Sequence, residues 1–237
     1  MSLTEAEMKL AGITRGVRGM EQVIDAREYP HRCVCHLEIR NSDSGTSRIK
    51  SGTGWFVGRN TVITAAHNII DHDERFHASS VYVSAGRSPR QGSVWSGPAT
   101  WYQVHPHWAI SPSPEVDLAA VWVAQQSDLV GNLRLIEPGQ SLSRGQEIHI
   151  AGYPDTLPFG AQGRASGHLR GVGQGRIDHQ LPTSNGVSGG PIWIVDSTGM
   201  PRVAGIHTHA SSPHETEAVL VTDAISQQIK KWRDANP

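Results

Sequence analysis

Wherever Val, Ile and Trp gather in this chain, a cluster of Gly, Pro, Ser or Asn soon interrupts them. Such runs fall at Arg32–Ile39, Gly54–Val57, Thr61–Thr64, Val81–Ala85, Trp101–Val104 and Asp117–Val123. They resume at Gln146–Ala151, Ile177–Leu181, Pro191–Val195, Val203–Gly205 and Ala218–Val221. Short strands separated by turn signals predict a sandwich or barrels and exclude an alternating βαβ sheet. Helical periodicity is convincing only at the end. There Asp223 is a candidate cap, Ile225, Ile229 and Trp232 share one face, and Lys230, Lys231 and Arg233 sit near the negative C-terminal end.

The 237 residues, 37% of them hydrophobic, suffice for one or two sizeable cores. The pattern loosens between Val123 and Gln146, as a connection between two β halves would. The organisation expected is therefore an N-terminal polar extension over 1–25, a first half over about 26–125, a second over about 140–222, and a helix over 223–234. A net charge of -1 supplies no electrostatic basis for binding nucleic acid or an anionic membrane. No stretch approaches the ~18 apolar residues that span a bilayer. The start, Met1 to Gly12, is acidic and lacks the apolar segment of a secretory signal. Cys33 and Cys35, the two cysteines, would face the same side of a strand, a poor geometry for bridging each other. A cytoplasmic location is the expectation from these features.

Chemistry concentrates at Asn185–Pro191, N-G-V-S-G-G-P. A serine hydroxyl is a weak nucleophile until a base takes its proton. The carbonyl it attacks becomes an oxyanion and needs donors already in place. A serine between glycines in a tight turn offers both an exposed Oγ and converging N–H groups, here those of Gly186 and Ser188. His67 closes T-A-A-H among small residues that leave room for an imidazole, and Asp117 opens the apolar run D-L-A-A-V-W-V. A carboxylate at the mouth of a buried strand would fix the histidine tautomer and stabilise its charged form. Each residue alone is an ordinary turn His, strand-end Asp or loop Ser; together, in that order, they form a candidate triad.

T-A-A-H, H-P-H-W at His105–Trp108, D-L-A and G-V-S-G-G-P resemble the successive signatures of trypsin-like serine proteases. The second half resembles the glutamyl endopeptidase branch, through I-A-G-Y-P at Ile150–Pro154, L-P-T-S-N-G-V-S-G-G-P at Leu181–Pro191 and G-I-H-T at Gly205–Thr208. The resemblance runs from about Arg32 to Trp232. It implies an all-β chymotrypsin-like fold: two antiparallel six-stranded β-barrels with a C-terminal α-helix and the site in the cleft between them. His67 would be the general base, Asp117 its orienting carboxylate and Ser188 the nucleophile, acting on a protein or peptide substrate without a cofactor.

The same resemblance places Thr183 and His207 as walls of the primary specificity pocket. A hydroxyl and an imidazole can donate to a carboxylate, so cleavage after Glu, less often Asp, is the expectation. Thr208 stands beside the triad carboxylate, with a bond from its hydroxyl to Asp117 expected. Val187 replaces the Asp that in many trypsin-like enzymes pairs with a newly cut N-terminal amine, and valine cannot form that ion pair. Ala210 stands where a glycine usually lines the substrate groove. A missing leader together with Val187 motivates a further expectation, a regulatory protein partner that relieves a latent state.

Other readings are weaker. Gly186–Gly190 also satisfies the G-x-S-x-G elbow of serine esterases, but that turn must lead into a helix, and here Pro191 and I-W-I-V follow. A silent binding module would normally have lost a triad residue. His105-x-His107 and His207-x-His209 lack the further ligands of a structural zinc site, and no metal is expected. Gly171–Gly175 reads as a turn and not as a phosphate loop.

Overall fold

The computed structural model describes residues 19–41, 48–124, 128–212 and 215–235. The chain enters through β1 (Glu21–Gln22) and a 3-10 turn at His31–Cys33, then runs through β2 (Val34–Asn41), β3 (Arg48–Phe56) and β4 (Thr61–Thr64). A small hairpin of β5 (Ile70–Asp71) and β6 (Phe76–His77) precedes β7 (Ser80–Ala85), β8 (Trp95–Val104) and β9 (Ala119–Val123). Strands β2, β3, β4, β9, β8 and β7 close in that order into an antiparallel barrel.

The second half contributes β10 (Arg134–Leu135), β11 (Glu147–Gly152), β12 (Gly163–Gly173), β13 (Arg176–His179), β14 (Pro191–Val195), β15 (Pro201–Ser212) and β16 (Glu215–Leu220). Here β12, β11, β14, β15, β16 and β13 form the second ring, closed by pairing of β13 with β12. The two six-stranded antiparallel barrels are those expected of the chymotrypsin-like fold.

Strand periodicity explains why the barrels dock. Successive residues of a strand face opposite sides. In β9, Ala119, Val121 and Val123 fill the first barrel, while Ala120 and Trp122 face a separate core. In β14, Ile192 and Ile194 fill the second barrel while Trp193 joins that same separate core. This third core includes Trp55, Ile63, Leu118, Tyr153 and Val203, so it lies between the barrels. Every residue of β9 is buried for this reason, since neither of its faces meets water.

The C-terminal helix, Asp223–Asp234, contributes Ile225, Ile229 and Trp232 to the inter-barrel core. Its cap is Thr222, whose hydroxyl accepts from Ile225 N–H at 3.3 Å; Asp223, the residue expected there, lies in the first turn, where its charge faces the positive helix end. Although the helix follows the second barrel, it is tied to the first. Trp122 Nε1 donates to the Trp232 carbonyl at 3.1 Å, and Trp232 Nε1 donates to Gln103 Oε1 at 3.2 Å.

Two segments differ most from the sequence reading, beside the short β5, β6 and β10 and the helix Pro106–Ile110, which were not expected either. Strand β12 was not predicted, because G-R-A-S-G-H-L-R-G-V-G has little apolar content and only two of its residues are buried. It is held by ladders on both sides, to β11 and β13, and not by its own side chains. Its end meets β13 through a two-residue turn in which Gln174 and Gly175 have φ of 51° and 74°, as a hairpin requires. The described part of the expected N-terminal extension, 19–25, packs on the second barrel. There β1 pairs with Arg164 and Gly163, and Met20 enters that barrel's core. Residues 1–18 lie outside the described residues.

Candidate active site

His67 occupies a 3-10 turn, Ala66–Asn68, directly after β4. Ala65 and Ala66 are fully buried there, which leaves the imidazole beside the backbone where a larger neighbour would crowd it. Asp117 ends the turn Pro114–Val116 just ahead of β9 and is 5% exposed. It grips His67 twice, with Oδ1 accepting from the His67 backbone N–H at 3.0 Å and Oδ2 from Nδ1 at 2.7 Å. A carboxylate can only accept, so this contact assigns the proton to Nδ1 and leaves Nε2 as the basic nitrogen. Burial is the largest single influence on His67 and lowers its pKa. The charge and hydrogen bond of Asp117, with the charge of Asp71, together outweigh it and hold the pKa above the ordinary value.

Ser188 arrives from the second barrel, in the turn between β13 and β14. Its hydroxyl donates to the Thr208 carbonyl at 3.1 Å, and no Ser188–His67 hydrogen bond is present among the described residues. Such bonds commonly tighten only when substrate is bound. The loop preceding Ser188 is shaped for donation. Gly186 has φ of +89°, and a Cβ there would lie 2.3 Å from the Tyr153 carbonyl oxygen. The Asn185 carbonyl accepts from Asp155 N–H at 2.9 Å, and the Val187 carbonyl from Gly190 N–H at 2.8 Å. A trans peptide points its C=O and N–H in opposite directions. Pinning those two carbonyls therefore turns out the N–H groups of Gly186 and Ser188, and among the described residues neither meets a protein acceptor.

His67, Asp117, Ser188, Gly186 and Thr208 line one cleft of about 990 Å³. Thr183 and His207 are outside that lining. His207 is 2% exposed and meets His179 edge to face at 5.5 Å between ring centroids. Leu181 N–H donates to His179 Nδ1 at 3.2 Å, which leaves the proton of the neutral ring on Nε2, and burial lowers the His179 pKa to about 4. The Thr183 hydroxyl oxygen is buried and finds no partner among the described residues. Thr208 departs from expectation. Its hydroxyl donates to the Glu217 carbonyl at 3.3 Å and not to Asp117, because the Asp117 oxygens both face His67. The side chains of His209 and Ala210 lie outside the described residues. His105 Nδ1 accepts the His107 N–H at 3.3 Å and so caps the short helix Pro106–Ile110.

Sequence reasoning missed several cleft residues. Lys50 bridges Asp71 and Glu74 at 2.9 and 2.7 Å, which places the Asp71 charge near His67. His36 accepts from the Arg87 guanidinium at Nδ1 (3.1 Å) and donates from Nε2 to Ser51 Oγ (2.8 Å), with its pKa lowered to about 4, chiefly by burial. Thr53, fully buried in β3, was also missed. A threonine between two glycines, just ahead of the apolar Trp55 and Phe56, was the available signal.

A two-barrel fold that gathers a histidine, its carboxylate and a glycine-flanked serine at the seam defines a serine peptidase of the chymotrypsin-like type. The family model of the trypsin-like peptidase domain matches residues 52–206, which include all three side chains, and the chain belongs to that family. It is similar to the glutamyl endopeptidase of Bacillus licheniformis, with 25% identity over 221 residues, 90% of this chain and 67% of that protein. It is also similar to a protein of Bacillus subtilis named extracellular metalloprotease, with 23% identity over 89% of this chain and 66% of that one. The chain thus spans about two thirds of the length of these curated relatives. Among solved structures, a Glu endopeptidase in complex with MPD superposes with a TM-score of 0.78 at 20% identity, covering 92% of this chain and 97% of the other. The protease Anisep of Arthrobacter nicotinovorans superposes at 0.68 with 17% identity, covering 86% of this chain and 96% of that one.

Proposed function

We propose that this trypsin-like peptidase hydrolyses peptide bonds through His67, Asp117 and Ser188, and that it prefers Glu before the scissile bond. The observation carrying the mechanism is the 2.7 Å bond from His67 Nδ1 to Asp117, made at the same cleft as Ser188 and two uncommitted N–H groups. In the proposed first step the Ser188 hydroxyl leaves the Thr208 carbonyl and hydrogen-bonds to His67 Nε2. The imidazole takes the hydroxyl proton as Oγ attacks, Asp117 stabilises the cation formed, and Gly186 and Ser188 N–H receive the oxyanion. His67 then protonates the leaving amine, and water repeats the sequence on the acyl-enzyme.

The Glu preference is supported by the buried, unpartnered Thr183 hydroxyl beside the stretch that leads to Ser188, and by the similarity to a glutamyl endopeptidase. The remainder of the cleft does not attract acids, since Asp71, Asp73, Glu74, Asp155 and Glu217 line it against Lys50. Discrimination must therefore come from donors within the pocket. The proposed location is the cytoplasm. Burial raises both thiol pKa values, that of Cys33 to about 12, and neither thiol is bridged, which suits a reducing compartment.

The test is to incubate the protein, beside Ser188→Ala, with an unstructured protein and to map every cut by mass spectrometry. Cuts after Glu that vanish in the variant are expected. Cuts after other residues would retire the pocket assignment, and cuts that survive in Ser188→Ala would overturn the nucleophile.

A further inference from the structure

The oxyanion loop of this chain needs something to hold it, because Val187 offers no carboxylate and is itself fully buried in the apolar core of the second barrel. Thr53 meets that need from the opposite barrel. Its hydroxyl donates to the Gly186 carbonyl at 2.7 Å and accepts from Tyr153 N–H at 3.0 Å. Its backbone N–H donates to the Ser188 carbonyl at 2.9 Å. Its own carbonyl accepts from Thr64 Oγ1 at 2.7 Å. Thr64 Oγ1 in turn accepts from Asn68 Nδ2 at 2.9 Å, and the same amide reaches the Ser188 carbonyl at 2.9 Å. One residue thus ties the carbonyls of Gly186 and Ser188 to the turn that carries His67.

On the far side of the loop, Asp155 completes the hold. Its N–H pins the Asn185 carbonyl at 2.9 Å, and its Oδ2 accepts from Asn185 Nδ2 at 3.1 Å. The loop is gripped from β3 and from the segment after β11. Resting on the catalytic reading above, we propose that Thr53 is a positioning residue that keeps the oxyanion hole formed across the barrel seam. The Thr53 hydroxyl acts on substrate only indirectly: it anchors the 186–187 peptide, which lies between the 185–186 and 187–188 peptides that carry the Gly186 and Ser188 N–H groups.

The experiment compares Thr53→Val, Thr53→Ser and the unaltered protein on a Glu-containing peptide, with thermal unfolding measured for each. Valine keeps the shape of threonine and removes the hydroxyl. Expected is a fall in kcat of about 10–100-fold for Thr53→Val, below the ~10²–10³-fold typical of deleting an oxyanion donor outright, with KM little changed. Serine should restore kcat to near the unaltered value. Because a merely structural hydroxyl would change folded content and not the split between kcat and KM, the split is the deciding readout. Full kcat in Thr53→Val, or failure of serine to rescue, would each overturn the proposal. Absence of Ser188-dependent cleavage in the unaltered protein would instead overturn the catalytic reading beneath it.

Discussion

Replacing Gly186 by alanine should disable the chemistry while leaving the barrels intact. The residue has φ of +89°, and an added Cβ would lie 2.3 Å from the Tyr153 carbonyl oxygen, where contacts below 3.0 Å are essentially never seen. That oxygen belongs to the backbone after β11 and cannot yield as a flexible side chain would, so the 185–186 peptide must move by at least 0.7 Å, the difference of those two distances. A displacement of ~1 Å at a catalytic group is worth about 10²-fold, and losing one oxyanion donor about 10²–10³-fold in kcat. The expected fall in kcat is therefore about 10²–10³-fold, with KM within a few-fold. Stability should drop by about 1–2 kcal/mol for a left-handed alanine. Steady-state hydrolysis of a Glu-containing peptide measures the first, and thermal unfolding the second. Gly171→Ala is the control, since a Cβ there meets nothing within 4 Å. A Gly186→Ala enzyme within about threefold of the unaltered kcat would refute the assignment of that N–H.

Four further outcomes are expected. Because the His67 pKa is raised above 6.5, kcat/KM should fall as pH drops through a midpoint above that value, while the stability contributed by the charged His67–Asp117 pair is present below 6.5 and lost as pH rises through the raised pKa; a pH–rate profile and pH-dependent melts read both. His36 and His179, held neutral by burial with pKa values of about 4, act in the opposite direction, their stabilisation being complete above about 6.5 and lost as pH falls toward 4. Thr183→Val should lower kcat/KM for Glu peptides and yet leave the melting temperature unchanged or raised by a few degrees, because it removes a buried hydroxyl whose unmade bond costs about 1–3 kcal/mol. Trp232→Ala should cost about 3–5 kcal/mol in chemical denaturation, since it empties a buried site and breaks the tie from the C-terminal helix to Gln103.

The residues of the proposed triad could be singled out in the sequence because each sits in a local setting that leaves a short motif: alanines ahead of His67, an apolar strand after Asp117, glycines around Ser188. The strands β4 and β14 were legible to their ends, since β4 is wholly buried, β14 is buried up to Val195, and both are bounded by turn residues. What was not legible depends on contacts between distant segments. Strand β12 is mostly polar, and only its ladders to β11 and β13 make it a strand. The Thr208 hydroxyl was misassigned because nothing local shows that the Glu217 carbonyl lies across the β15–β16 pair. Thr53 is more than 130 positions from the loop it grips, so no local pattern could have joined them.

The claim on which the rest depends is that Ser188 is an activated nucleophile in a formed site. Treating the folded protein with a fluorophosphonate and mapping the adduct by peptide mass spectrometry tests it directly. The account predicts one adduct, on Ser188, lost in Ser188→Ala and strongly slowed in His67→Ala and Gly186→Ala. A folded protein that takes no label, or one labelled equally well at another serine when Ser188 is alanine, would contradict it.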